Sequence, residues 1–421
     1  MLSRTADSGF LSAAALAEFA ARAIASRGLA SRRVLCIVPD ATRTMPMPAM
    51  FRALADNLPR VDFLIALGTH PAMTDEAMLQ HFGLTHEERA GKYKRVGIFN
   101  HDWQNPGELV SVGRISSEEM SEISEGMMDD SPEVLINRRI LEYDALVIAG
   151  PVFPHEVAGF SGGNKYFFPG IAGPEILHLF HWLGALITNP VINGAKYTPV
   201  RKVIDASAAL IPKPRFAFCL HVVEKQCRAI FFGTPEEAWD AAADAAAKTH
   251  IRYVDRPYES VLAICPEMYG DIWTAGKCMY KLEPIVADGG ELIIYAPHIT
   301  QVSVTHGPLL KRIGYHTRDY FLAQMDRFAD VPGGILAHST HVRGIGAYED
   351  GVEMPRIEVT LATGISEAEC RAINLGYRDP TMIDPEVWAD AEDGGRLLVP
   401  HAGEILHRLR SRALAGAAVA R

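Results

Sequence analysis

The sequence predicts an α/β protein of two Rossmann-like domains with the active site in the cleft between them. Three observations carry this. Apolar runs of strand length at residues 33–39, 61–67 and 144–149 alternate with helix-length segments, the pattern of a mostly parallel sheet with covering helices. The alternation restarts near residue 261 with a second strand–helix–strand unit. The 421 residues also exceed what one hydrophobic core usually serves. A polar stretch at 252–259 reads as the linker, giving domains 1–258 and 259–421.

Each element follows from its own pattern. Residues 9–27 form an Ala-rich amphipathic run expected to be a helix, and residues 93–99 read as a third strand. The acidic stretch 111–137 reads as a solvated hairpin or helix. Strands are expected at 200–205 and 215–223, and a long Ala-rich helix at 234–250. In the second half the expectations are a strand at 261–265, a helix at 276–287 and a strand at 291–296. A helix at 321–328 and a strand at 334–337 follow, with His338 and His341 in the next loop, then a strand at 356–362. Ser366 with Glu369 reads as a capping box. The Ala-rich tail from Ala413 is expected to fray.

Composition is that of an ordinary globular protein, with 48% hydrophobic and 22% charged residues. A net charge of −10 argues against non-specific nucleic-acid binding, which rests on Lys and Arg contacts to phosphates. The six cysteines show no Cys-x-x-Cys spacing, and Cys36, Cys219 and Cys265 sit in apolar runs. They read as reduced core residues of a cytoplasmic protein. No signal-peptide-like apolar run opens the chain, and none approaches the roughly 20 residues that span a bilayer.

Candidate site residues gather where strand runs end, the edge at which open α/β sheets keep their ligands. Asp40, Thr42 and Arg43 follow the first run. Capping of a helix near Pro46 would account for Asp40 alone, but not for Arg43. His70 follows the second run, and His101 with Asp102 the third; adjacent side chains seldom face each other, so that last pair ranks lower. The run at 144–149 enters the stretch around which the chain is organised, residues 154–174. It holds His155, then Ser161-Gly162-Gly163-Asn164-Lys165, and leads into a helical run at 175–187. A strand, a glycine loop and a helix N-terminus offer backbone N–H groups to an anion. Lys165 adds a cation or a nucleophilic amine; the plainer reading is a tight turn with a solvated lysine. The loop is neither a Walker sequence nor Gly-x-Gly-x-x-Gly. His178 and His181 lie three apart on the following helix, spacing that suits a metal but is weak alone. One is expected to point inward and the other to be incidental.

The whole set resembles the nickel-pincer lactate racemase family. The resemblance rests on Asp40-Ala-Thr-Arg43 with Pro46, on Gly68-Thr-His70, on Pro154-His155 leading into Ala158-Gly-Phe-Ser-Gly-Gly-Asn-Lys165, and on Pro169-Gly170 with Gly173. Lys277, Gly289-Gly290 and Gly351-Val-Glu-Met-Pro-Arg356 extend it into the second half, over residues 30–375. It implies a racemase or epimerase inverting C2 of a small 2-hydroxyacid by hydride transfer. It implies a nickel-pincer nucleotide, covalently attached through Lys165, with nickel ligated by His181 and His178 the close competitor. Asp40, Thr42, Ser161, Gly162 and Gly163 would bind that cofactor; His70 and His155 would be the acid/base pair; Arg43 would hold the substrate carboxylate and Lys277 would reach the site. Partners would be the substrate and the cofactor-synthesis enzymes, with no nucleic acid and no membrane, and a homo-oligomer is left open.

The chemistry is coherent with those residue types. Removing C2–H as a proton beside a carboxylate is very hard for a histidine whose pKa is near 6.5. Hydride transfer leaves histidine only the hydroxyl proton to move, and two antipodes then call for two histidines. One departure concerns substrate. The family's Tyr-Gln pair before the second-half lysine is Trp273-Thr274 here. That implies an acid larger than lactate, met by the Thr274 hydroxyl, Arg343 or the His338/His341 pair in second-half loops. The alternatives are a dehydrogenase-like enzyme with another nucleotide cofactor, and a non-catalytic pincer-nucleotide-binding homologue.

Overall fold

The computed structural model describes residues 1–389 and 392–410; the expected fraying tail from Ala413 lies outside them. The chain is mixed α/β throughout. It divides into two compact units, neither of them continuous in sequence. Unit 1 comprises residues 1–153, 160–177 and 201–248; unit 2 comprises 154–159, 178–200 and 249–421. Two pieces of the first half therefore pack with the second unit, where the sequence suggested a single break after residue 258.

Unit 1 is built on a seven-stranded sheet. Its strands are β1 (Leu2–Thr5), β2 (Val34–Pro39), β3 (Val61–Ala66), β4 (Ile98–Asn100), β5 (Ala145–Pro151), β6 (Arg215–Val223) and β7 (Gln226–Gly233). The spatial order is β1-β7-β6-β5-β2-β3-β4, parallel from β6 to β4 and antiparallel at the β1/β7 edge. Strands β2 and β5 are buried along their whole length, as a sheet covered on both faces requires. From β2 the chain winds outward through β3 and β4, then returns to β5 on the other side. The switch point therefore lies between β2 and β5, and the crevice beyond their carboxyl ends is where such sheets bind ligands. Helix α1 (Ala13–Ser26) is capped by Ser12 and buries Leu16, Phe19 and Ile24. Phe51, Phe63 and Phe82 pack edge-on and tilted beside it in the same core cluster.

Two sequence expectations in the first half are corrected, and the one for the acidic stretch is made specific. Residues 93–95 are turn and 96–97 irregular, and the third strand is only Ile98–Asn100. The acidic stretch holds both a strand pair, Leu109–Arg114 with Glu133–Asn137, and a helix, Ser117–Ile123, which buries Met120. Residues 200–205 are not a strand but part of the helix Pro199–Ala209. Val200, Val203, Ile204 and Ala208 are all fully buried, the spacing of a helix face rather than of a strand.

Unit 2 centres on a five-stranded, fully parallel sheet. Its strands are β8 (Tyr258–Ile264), β9 (Val286–Ala296), β10 (Glu358–Thr363), β11 (Gly376–Tyr377) and β12 (Arg396–Val399), in the order β11-β10-β9-β8-β12. The stretch read as a linker is partly a strand, Ile251–Val254, paired in parallel with Leu406–Leu409. Helix α2 (Ile272–Leu282) starts at an Asp271 cap. The stretch 333–343 is a helix, α3 (Gly333–Arg343), where a strand and a loop were expected. Every residue from Gly334 to Arg343 is buried, so the segment has no polar face and its sequence shows no helical period.

Candidate functional site

In unit 1 the candidate groups collect at the carboxyl ends of β2 and β3. Asp40 is buried and accepts from the Thr42 backbone N–H at 3.1 Å and from the Thr42 hydroxyl at 2.6 Å. Its other oxygen lies 2.5 Å from Nδ1 of His70. Arg43 donates to the Thr42 hydroxyl at 2.9 Å. Burial opposes ionisation of Asp40, but the charge and hydrogen bond of His70, then Arg43 and Thr42, outweigh it and hold the carboxyl well below the usual range. Asp40 does not cap the helix Met47–Ala55, which has no side-chain cap. It is ionised and aims His70.

The glycine loop closes the other side of the switch point. Gly162 and Gly163 have φ of 84° and 57°, and Lys165 sits on the 3₁₀ turn Gly163–Tyr166, half-buried. A Cβ on Gly162 would meet Val152 at 2.6 Å and one on Gly163 would meet Trp239 at 2.8 Å. The glycines are thus required by close packing of the loop onto its own unit. The Ser161 hydroxyl accepts from the Phe153 N–H at 2.9 Å, while the Ser161 carbonyl accepts from Trp239 at 3.0 Å. Arg201, buried, donates to the Phe160 carbonyl at 2.6 Å and lies 4.0 Å from the Trp239 ring centroid. Asn164 donates to Asp205 at 2.9 Å and to Glu236 at 2.7 Å. Arg201, Trp239, Asp205 and Glu236 were not singled out from sequence. They come from a helix, 199–209, first read as a strand, and from the Ala-rich helix Pro235–His250, whose pattern signals only a covering helix.

His101, the weaker candidate, is structural. It is buried between the Ala172 carbonyl at 3.0 Å and Asn137 at 3.1 Å, and burial pushes its pKa down to about 4.

In unit 2, His155 is buried, and its Nδ1 accepts the Val157 N–H at 3.1 Å and lies 3.5 Å from a carboxylate oxygen of Glu156. Glu156 had no sequence signal beyond adjacency. His178 and His181 lie on the helix Pro174–Ile187. Both face α3: a Cβ on Gly334 would lie 2.8 Å from Nδ1 of His178 and 3.8 Å from Cβ of His181. Neither is incidental to the packing. His181 also stacks on Phe180 at 4.9 Å, and burial pushes His178 down to about 4.

Lys277, on α2, holds its ammonium 4.5 Å from the Tyr269 ring centroid. Trp273 stacks on His338 at 4.1 Å and tilts against His306 at 4.4 Å. The Thr274 hydroxyl lies 2.8 Å from the Asp271 carboxylate, whose oxygen also caps the helix, so it is committed there. Arg343 and the His338/His341 pair are on helix α3, not in loops, and Arg343 pairs with Glu358 at 3.3 Å. Much of the Gly351–Arg356 motif is also structural. Glu353 holds His316 at 2.7 Å and the Thr317 N–H at 2.6 Å, and Arg356 donates to the Val286 carbonyl at 2.7 Å.

Among known proteins, the lactate racemase N-terminal domain family matches residues 12–191. Over those residues the chain is similar to the lactate racemases. It is 30% identical to lactate racemase of Lactiplantibacillus plantarum over 62% of this chain. It is 29% identical to that of Thermoanaerobacterium thermosaccharolyticum over 63%. These matches span 59% and 60% of the two racemases' own lengths. Among solved structures, a Thermotoga maritima protein superposes with TM-score 0.88 and 31% identity, covering 97% of this chain and 100% of that one. The Thermoanaerobacterium thermosaccharolyticum lactate racemase apoprotein superposes with TM-score 0.71 over 93% of each chain. At 18% identity that second likeness speaks for the fold. The family's N-terminal match takes in Asp40, Thr42, Arg43, His70, His155, the glycine loop with Lys165, and His181.

Proposed function

We propose that this chain is a racemase or epimerase that inverts C2 of a 2-hydroxyacid with a nickel-pincer nucleotide as cofactor. The observation that carries the reading is the Asp40–His70 pair at 2.5 Å. A carboxylate on Nδ1 directs the lone pair of a neutral imidazole to Nε2, the arrangement of an oriented general base. Arg43, hydrogen-bonded to Thr42 beside that pair, is the group suited to a bidentate carboxylate contact. It would hold the substrate while the C2 face is exchanged. His70 and His155 move the hydroxyl proton, and Lys277 adds positive charge.

The residues fit the proposed cofactor. Imidazole is a good nickel donor, and His181 supplies one. Among the described residues no group of three or more His, Cys, Asp or Glu is arranged to hold a metal ion. Lys165 is presented on a turn that Arg201 and Trp239 fix from beneath, as a covalent tether requires. Such a nucleotide supplies a hydride acceptor, so the chain never has to abstract a proton from carbon. Ser161, Gly162 and Gly163 then act by shaping the loop.

The test is racemisation of enantiopure 2-hydroxyacids by protein produced together with the cofactor-synthesis enzymes, read by chiral separation. Inversion that requires nickel supports the reading. Turnover only with a nicotinamide dinucleotide would favour the dehydrogenase alternative, and cofactor binding without any turnover the non-catalytic one.

A further inference from the structure

The two candidate acid/base histidines have Nδ1 surroundings of opposite character. His70 Nδ1 meets only an acceptor, the Asp40 carboxylate at 2.5 Å. His155 Nδ1 meets a donor, the Val157 N–H at 3.1 Å, and an acceptor, Glu156 at 3.5 Å. A backbone N–H cannot give up its proton, so a neutral His155 that keeps this bond has no proton on Nδ1 and carries it on Nε2.

We propose that the chain holds its two histidines in opposite tautomers, His70 protonated on Nδ1 and His155 on Nε2, and that Glu156 is the positioning residue that lets His155 change state. The proposal rests on the reading of these residues as the acid/base pair. His70 starts as a base: it takes a hydroxyl proton on Nε2 and becomes an imidazolium beside Asp40, the acid of the reverse inversion. A neutral imidazole N–H is a poor acid, so His155 can donate from Nε2 only after Nδ1 has taken a proton from solvent, which loads the pair with the one extra proton it then carries through each inversion. The Val157 N–H repels that second proton, whereas the Glu156 carboxylate accepts its hydrogen bond. When His155 then releases the Nε2 proton to a substrate oxygen, the N–H bond breaks, an O–H bond forms, and the remaining proton stays on Nδ1, hydrogen-bonded to Glu156. His155 is then the mirror of His70, a base with a carboxylate behind it. Each inversion so leaves the pair loaded for the opposite antipode.

Other groups of unit 2 also act on this switch. Lys281 donates to the carbonyl of Pro154, next to His155. Glu156 also acts electrostatically on Tyr280 and His341. Burial raises the Tyr280 hydroxyl and the Glu156 charge raises it further; burial lowers His341 and the same charge partly restores it.

The test uses the full chain labelled with ¹⁵N-histidine, with signals assigned by His70→Asn and His155→Asn. Long-range ¹H–¹⁵N spectra at high pH should show the Nδ1–H tautomer for His70 and the Nε2–H tautomer for His155. Glu156→Gln, which keeps the size of the side chain, should lower the titration midpoint of His155 and leave that of His70 in place. In the loaded enzyme the same variant should shift the acid limb of the kcat profile in the same direction. An Nδ1–H tautomer at His155, or a His155 midpoint indifferent to Glu156→Gln, would overturn the proposal. The spectra need no substrate, so they decide it even if no 2-hydroxyacid is racemised. Racemisation with the wrong tautomers would sink this inference alone.

Discussion

Asp40 and His70 lie at the ends of neighbouring parallel strands, and their side chains close to 2.5 Å between Oδ2 and Nδ1. Thr42 and Arg43 complete a chain of hydrogen bonds behind them. The pair is partly shielded, with side-chain exposures of 18% for His70 and 7% for Asp40. That makes the carboxylate a determinant of tautomer as well as of charge.

Asp40→Asn should therefore leave the fold intact and strike catalysis. An amide can donate to Nδ1 and turn the Nε2 lone pair into an N–H, the wrong tautomer for a base. The expected loss in kcat is about 10²–10⁴-fold, the usual worth of a positioned acid/base group, with a smaller change in KM. Steady-state racemisation beside a circular-dichroism spectrum checks it. An unchanged kcat would remove Asp40 from the mechanism.

Arg201 poses a different question, because burial pushes its pKa down to about 10 despite Asp205 and Glu236. Its desolvation is thus incompletely offset, and a buried charge of this kind contributes little net stability. Its contribution is position: it ties down the Phe160 carbonyl and stacks on Trp239. Arg201→Met should cost about 3–5 kcal/mol in urea unfolding, because it leaves the partly buried Asp205 without its main opposing charge. Cofactor loading at Lys165 should fall much further, read as the fraction of protein with added mass. Full loading in that variant would refute the positioning role.

Lys165→Ala should abolish the covalent mass addition, and His181→Ala should lose nickel while the protein stays folded. His178 is the internal control, with His178→Ala keeping most of the metal. Metal analysis of the three purified variants checks the set. Nickel retained by His181→Ala and lost by His178→Ala would reverse the choice between them.

How much of this was legible depended on whether a signal was local. The strand ends with Asp40 and His70, and the loop with Lys165, could be read because a few consecutive residues carry them. The reason for Gly163 could not be, since what it avoids is Trp239, far along the chain. Nor could the membership of residues 154–159 and 178–200 in unit 2, because contiguity in sequence carries no record of packing partner. Helix α3 was missed for a related reason. Its residues from Gly334 to Arg343 are buried on every side, and a segment without a wet face shows no period.

Stability should fall as pH drops from about 6.5 toward 4. Burial pushes His101, His178, His341 and His407 down to about 4, against about 6.5 in the unfolded chain. In that window the unfolded state binds more protons. The stabilisation is therefore complete above pH 6.5 and is lost on acidification, by up to about 1.4 kcal/mol per pH unit per group. Asp205 and Glu283, raised by burial, act in the opposite sense as pH approaches the carboxylate range, but are outnumbered. Urea midpoints at pH 7.5, 6 and 5 check the trend, and a flat profile would contradict it.

Substrate choice should turn on Trp273. The Thr274 hydroxyl is committed to Asp271 and Arg343 to Glu358, so the two polar groups first expected to meet a substrate are engaged elsewhere. What remains is the partly buried Trp273 indole, packed against His306 and His338. A broad apolar wall of this kind rewards bulk. A methyl group such as that of lactate leaves the face uncovered, and one methylene of difference is worth about 1–3 kcal/mol. The kcat/KM for lactate should accordingly be at least about tenfold below that of the best of malate, a sugar acid or an aromatic hydroxyacid. Of these the stacked indole favours the aromatic acid. Trp273→Ala should erase most of that preference by lowering the value for the larger acid more than that for lactate. Racemisation of each pure enantiomer by wild type and variant gives both ratios. Lactate as the best substrate of the wild-type chain would refute this account of the pocket without touching the likeness to lactate racemases.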